Sequence, residues 1–126
     1  MGKECIYPPD GPAPGGPYTP AVKANGFIFV SGQVPTGPNG IVYGTLEEQT
    51  KLVLENLKKV LGHAGASLND IVKNTVFLSD MDDFAEFNGY YKAYFPENPP
   101  ARSCVQVGRL PFDVRVEIEA IAIDPK

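Results

Sequence analysis

The residues with the most chemistry lie near the C-terminus, in Ala101-Arg102-Ser103-Cys104-Val105-Gln106-Val107 and Val114-Arg115-Val116-Glu117-Ile118-Glu119. Both runs read as strands. A side-chain period of two then puts Arg102, Cys104 and Gln106 on one face of the first, and Arg115, Glu117 and Glu119 on one face of the second. The segment Gly108 to Asp113 reads as the loop of a hairpin joining them. If Val107 opposes Val114, Cys104 falls beside Glu117 and Arg102 beside Glu119; a slip of two sets Arg102 beside Glu117. Either register gathers a guanidinium, a thiol and a carboxylate on the sheet face that helices leave uncovered. A guanidinium holds a carboxylate by two parallel hydrogen bonds, and a nearby glutamate moves protons to or from water. The same charges also make ordinary cross-strand ion pairs on a solvated face, and spacing alone does not separate the two readings.

Other candidates are weighed in the same way. Cys104 has no histidine placed to activate it and reads as a small buried hydrophobe rather than a nucleophile. His63, the only histidine, falls at the end of a helical pattern, where the dipole favours a cation without any catalytic role. Asn88 sits beside the apolar stripe of a second helical pattern, either as a satisfied buried amide or as a polar group aimed at a pocket. Ser31-Gly32-Gln33 follows an apolar strand, where a hydroxyl and a bare backbone can face a ligand or simply end the strand. Tyr18 is the large apolar residue of a Pro/Gly-rich segment, an anchor for the loop or a hydroxyl for a site. No H-E-x-x-H, P-loop, G-x-G-x-x-G after a strand or Ser-His-Asp pattern occurs, so no metal site is expected.

The elements that must position these residues follow from pattern. Residues 8 to 20 should be irregular, because proline and glycine deny ladder donors and regular φ. Asn25-Gly26 between Ala21–Ala24 and Phe27–Ser31 predicts a tight hairpin, and Gly37-Pro38-Asn39-Gly40 a second turn. Thr45-x-x-Glu48 is a capping box, followed by Leu46, Val53, Leu57, Val60, Leu61 and Ala64 at helical spacing, with Gly65 as the stop. Ile71 to Leu78 is rich in strand formers. Asp80 should cap a second helix with Asp82 and Asp83 in its first turn and Phe84, Phe87, Tyr91, Tyr94 and Phe95 as its stripe, ended by Pro96. The order ββ-α-β-α-ββ predicts an α+β fold, both helices on one face of a mixed β-sheet.

A chain of 126 residues with 43% hydrophobic residues suits one domain spanning 1–126. The start Met1-Gly2-Lys3-Glu4 has no apolar h-region and no run nears the roughly 20 apolar residues that cross a bilayer, so no membrane association is expected. Two cysteines, Cys5 and Cys104, give no C-x-x-C framework and fit reduced thiols in a cytoplasmic protein. A net charge of −4, from 15 acidic and 11 basic residues, has the wrong sign for a broad phosphate-neutralising surface, so nucleic acid is an unlikely partner.

Taken together, Pro100-Ala101-Arg102-Ser103-Cys104-Val105-Gln106-Val107, Leu110-Pro111 and Val116-Glu117-Ile118-Glu119-Ala120 resemble the signature of the RidA (YjgF) family. Gly16-Pro17-Tyr18, Phe29-Val30-Ser31-Gly32-Gln33, Asn56 and Asp83-Phe84-Ala85 leading to Asn88 extend the resemblance over nearly the whole chain. It implies a chorismate-mutase-like α+β fold forming a homotrimer, with sites in clefts between subunits. The implied activity is that of a 2-iminobutanoate/2-iminopropanoate deaminase, hydrolysing 2-imino acids and their enamines, such as 2-aminoacrylate, to 2-keto acids and ammonia without a cofactor. By position, Arg102 would bind the substrate carboxylate and Glu117 would position or activate water. The Cys104 backbone, Tyr18, Ser31, Gly32 and Asn88 would complete the pocket. The alternatives are a non-catalytic carboxylate-binding or chaperone-like trimer, and an RNA-acting translation inhibitor or endoribonuclease.

Overall fold

The computed structural model describes residues 2–11 and 13–126. Its eight strands are β1 (Glu4–Ile6), β2 (Ala21–Ala24), β3 (Phe27–Gln33), β4 (Thr36–Gly37), β5 (Gly40–Ile41), β6 (Ile71–Leu78), β7 (Ala101–Gln106) and β8 (Val116–Ile123). The helices are α1 (Leu46–His63) and α2 (Phe84–Tyr94). Six strands form one sheet in the order β1-β2-β3-β8-β6-β7, and β4 and β5 form a separate small hairpin. Within the large sheet only β6 and β7 run parallel.

Local chemistry explains most of these elements. Asn25 and Gly26 both take positive φ, as a two-residue hairpin between right-twisted strands requires. Thr45 accepts from the Glu48 N–H while Glu48 accepts from the Thr45 N–H, closing the box that starts α1. Leu46, Val53, Leu57 and Leu61 of α1, with Phe87 and Tyr91 of α2, pack on Ile28, Val30, Val76, Leu78, Val116, Ile118, Ala120 and Ala122 of the sheet. Every second residue of β8 therefore points at the helices. The opposite face has no covering layer, and Phe27, Phe29, Val105 and Ile123 stand 41–48% exposed on it.

Two expectations change. The second helix begins later than its capping pattern suggests: Asp80 accepts from the Asp82 N–H and caps a 3₁₀ turn, Met81–Asp83, and the α-helix proper starts at Phe84. More consequentially, β7 and β8 are not a hairpin, because β6 lies between them. β6 is the run whose Asn74, Val76 and Leu78 are fully buried, so it takes a central place with ladders on both sides. β7, reached through α2, comes back parallel on the outer side of β6. Val107 then donates to the Leu78 carbonyl and Ser79 to the Arg115 carbonyl, so the chain between them arches over the end of β6. Within that arch Phe112 and Asp113 both take positive φ.

β1 was not expected, since three residues carry no periodic signal; the free edge of β2 decides its pairing. Cys5 on β1 and Cys104 on β7 occupy opposite edges of the sheet. They are roughly 24 Å apart at a strand spacing of about 4.8 Å, far beyond disulfide reach within a chain.

Candidate active site

Insertion of β6 reassigns the faces of the C-terminal residues. Arg102 is level with Asn74 of β6, which is level with Ala120 of β8; Cys104 is level with Val76 and Ile118. These rows face the helices. Val105, Phe77 and Glu117 form a row of the other parity, as do Ser103, Thr75 and Glu119. Arg102 and Cys104 therefore lie on the helix-covered side, and Glu117 and Glu119 on the open side. The expected pairs of Cys104 with Glu117, and of Arg102 with Glu119 or Glu117, do not form within the chain. Arg115 also leaves the expected face: it precedes β8, and its Nη2 donates to both Asp83 carboxylate oxygens at 3.1 and 3.3 Å.

The first cluster is built by β7 and α2. Arg102 Nη1 donates to Asn88 Oδ1 at 2.8 Å, so Asn88 is aimed at a functional group rather than satisfied elsewhere. The guanidinium carbon lies 5.0 Å from the centre of the Tyr91 ring and 5.6 Å from that of Phe84, within range of cation–π attraction. Cys104 packs against the core, and burial pushes its thiol up while the Arg102 charge pulls it down. Burial being the larger influence, no thiolate nucleophile is indicated. Arg102, Asn88, Tyr91, Lys92, Phe95, Pro99 and Pro100 line a cleft of ≈ 350 Å³.

The second cluster is built by β3 and β8. Their register shifts between Val30 and Gln33, a bulge that falls on Ser31 and Gly32. Glu117 lies over Gly32: a Cβ there would sit 2.8 Å from the Glu117 carboxyl carbon. It is the missing Cβ of Gly32, not a positive φ, that gives the Glu117 carboxylate this place. Burial pushes the Glu117 carboxyl above its ordinary 4.5, and the Glu119 charge adds to the shift. Ser31 Oγ donates to the Thr19 carbonyl at 2.6 Å, and Ser31 N to the Pro20 carbonyl at 2.9 Å. The hydroxyl thus ties down the Pro/Gly-rich segment. Tyr18 stands half-exposed on that segment, beside Thr19, in a hollow of ≈ 450 Å³ also lined by Tyr7, Pro14 and Pro17.

Sequence reasoning thus named residues of both clusters but joined them wrongly, and it missed three contributors. Phe84 and Tyr91 were read only as core stripe; their spacing with Asn88, i, i+4 and i+7, was the signal that one helix face carries all three. Gln49 gave no signal. It is buried in α1, donates to the Val42 carbonyl at 3.0 Å and accepts from the Arg115 N–H at 2.8 Å, pinning the backbone two residues before Glu117. Among the described residues, no group of three or more His, Cys, Asp or Glu side chains is arranged to hold a metal ion, and no helix is long and apolar enough to cross a membrane.

Comparison with known proteins places this geometry in a family. Residues 9–124 match the model described as Endoribonuclease L-PSP. The chain is 54% identical over 124 residues to a RutC family protein of Pyrococcus abyssi, covering 97% of this chain and 98% of that one. It is 48% identical over 117 residues to an Escherichia coli K12 protein named "Putative reactive intermediate deaminase TdcF", covering 88% and 91%. The crystal structure of E. coli TdcF with bound serine superposes with a TM-score of 0.89 at 44% identity, over 95% of this chain and 98% of that one. With a family model spanning almost its whole length and relatives this similar end to end, the chain belongs to the Endoribonuclease L-PSP family, the RidA (YjgF) family that its C-terminal strings resemble.

Proposed function

We propose that this chain is a deaminase of 2-imino acids, converting 2-iminopropanoate (from 2-aminoacrylate) and 2-iminobutanoate to 2-keto acids and ammonia, in a site shared between subunits of a homotrimer. The observation that carries the reading is the Arg102 guanidinium. Asn88 and two rings hold it in a cleft walled largely by rings and prolines. A positive, planar, pre-oriented fork suits a small carboxylate. That the related TdcF was crystallised with serine, itself a carboxylate, fits the same ligand class.

Arg102 anchors the substrate carboxylate and Glu117 takes a proton from water as its oxygen bonds to the imine carbon. Starting from the protonated imine, that proton passes from Glu117 to the nitrogen of the resulting carbinolamine; the hydroxyl proton then goes to Glu117 as the C=O bond forms and the C–N bond breaks with its electron pair on nitrogen, and ammonia leaves with the keto acid. Imines already hydrolyse in water, so placing the reactants and shuttling protons between water, nitrogen and hydroxyl is sufficient, and neither metal nor organic cofactor is called for. The raised Glu117 carboxyl suits proton exchange nearer neutrality than an ordinary glutamate.

Arg102 and Glu117 lie on opposite sides of one sheet, so one chain does not bring them together; a neighbouring subunit does. Support for the assembly comes from the uncovered sheet face with Phe27, Phe29, Val105 and Ile123, an apolar surface of the kind that subunits bury. On this reading Glu117, Gly32, Ser31 and Tyr18 come from one subunit, and Arg102, Asn88 and the Cys104 backbone from the next.

The test is keto-acid release from 2-iminobutanoate generated in place by a threonine dehydratase, with semicarbazide competing for the imine. Wild type should accelerate release, and Arg102→Ala should lose ~10²-fold, as expected for a charge-assisted bidentate contact. No acceleration by wild type ends the proposal. The family's description favours a second reading, action on RNA. A net charge of −4 opposes it, and RNA binding that weakens steeply with salt would be its signature.

A further inference from the structure

Asn74 is fully buried in the middle of β6, level with Arg102 on one side and Ala120 on the other. Its same-face neighbours Val76 and Leu78 are apolar and equally buried. Asn74 Nδ2 donates to Tyr91 Oη at 2.9 Å, and among the described residues its Oδ1 has no partner. A buried amide satisfied on one side only is a poor way to stabilise a core. What it does achieve is to fix the phenol. Phe87 and Phe95 pack against the Tyr91 ring at 5.5 and 4.7 Å between centres, so the ring is held along its body as well as at its tip.

The face of that ring meets Arg102. Phe84, Asn88 and Tyr91 share one face of α2. Through the two rings and the Asn88 oxygen they touch the guanidinium at three places. An arginine side chain otherwise has many rotamers to lose on gripping a ligand. With the plane of its fork confined by two rings and one N–H committed to Asn88, the remaining N–H groups are left to meet a carboxylate.

We propose that Phe84 and Tyr91 form an aromatic cradle that aims Arg102, and that buried Asn74 is the anchor of that cradle; all three are positioning residues. The proposal rests on Arg102 being the carboxylate clamp.

Two substitutions leave the fold intact and separate positioning from structure. Asn74→Leu removes the half-satisfied amide but takes its partner from the buried Tyr91 hydroxyl, so a modest fall in melting temperature accompanies it while the fold is kept. Phe84→Leu alters a ring that is 37% exposed. Each should weaken 2-oxobutanoate binding and raise KM by ~3- to 10-fold with kcat within about twofold, the scale of one cation–π contact or one lost restraint. Phe84→Tyr should restore the wild-type KM, and neither change should matter further in an Arg102→Ala background. The guanidinium NMR signals of Arg102 report the cradle without any ligand. Ring-current shifts in wild type that collapse in Phe84→Leu support it, and signals unchanged by the substitution overturn it. Wild-type affinity retained in both variants also overturns the cradle, whereas ring-shifted signals in a wild type that binds no keto acid overturn the clamp reading instead.

Discussion

The two faces of the sheet treat their charged residues in opposite ways. On the helix-covered face, Arg102 is embraced by an amide oxygen and two rings. On the open face, Glu117 is held by its approach to Gly32 and lies near another negative charge, Glu119. A guanidinium is weakly hydrated and stacks on rings, so it tolerates an apolar cradle without losing its charge. A carboxylate in a half-buried position with a like charge nearby is pushed toward its protonated form. On the proposed function, one face supplies the binding group and the other the proton-transfer group, and each is incomplete alone.

The sharpest break of this contrast is Glu117→Ala. If the open face supplies proton transfer only, turnover should fall ~10²- to 10⁴-fold while 2-oxobutanoate binding stays near wild type. Turnover retained in that variant would remove Glu117 from the mechanism, and a wild type that binds keto acid without turnover would be a carboxylate-binding trimer. Next is complementation. Arg102→Ala and Glu117→Ala chains, each inactive alone, should regain activity when unfolded and refolded together. Roughly a quarter of the sites would be intact if each site draws Arg102 and Glu117 from different chains of a symmetric assembly. No recovery by a mixture shown by mass to contain hybrid oligomers would break the shared-site geometry.

A smaller effect is expected from Gly32→Ala. The added Cβ meets the mobile end of Glu117 rather than backbone, so the carboxylate is displaced more readily than the strand. Activity should drop ~10-fold, with a stability loss of about 1 kcal/mol or less by thermal melting. A large fall in melting temperature with activity per folded molecule intact would reverse that assignment.

The smallest effect is in pH dependence. With Glu117 as the proposed base, active when ionised, and its carboxyl raised, the acid limb of the rate profile should lie above 4.5. Glu119→Gln removes the lesser of the two causes and should move that limb to lower pH without returning it to 4.5, because burial remains. The same shift has a stability consequence. A carboxyl raised on folding binds more protons folded than unfolded above 4.5, so its contribution to stability falls as pH rises through that window. Glu117→Gln should therefore gain on wild type at neutral pH and lose the advantage below 4.5, as chemical denaturation across pH would show.

Elements fixed by neighbours in the chain were legible beforehand. The Asn25-Gly26 turn, the Thr45-Glu48 box and the alternation of β8 each depend on a few adjacent side chains, and all three are present. The apolar stripe of α1 was likewise readable, because burial enforces a 3.6 period, whereas of the stripe expected in α2 Phe87 and Tyr91 are buried and Phe84 is 37% exposed. Pairing was not. Nothing within 101–123 says that a strand from 71–78 will separate its two halves, since β6 competes for the same ladder from elsewhere in the chain. Gln49 and Asn74 were invisible for the same reason: their partners Arg115 and Tyr91 lie 66 and 17 residues away.

By itself the sequence determined the α+β class, both helices and the side-chain chemistry of the candidate residues, a guanidinium at Arg102 and a carboxylate at Glu117. Those properties reside in local backbone preferences and side-chain chemistry. Only the tertiary structure decided that Arg102 and Glu117 face opposite ways. With a side-chain period of two, their relative facing is set by how both strands register against the one between them, and that register is a property of the whole sheet.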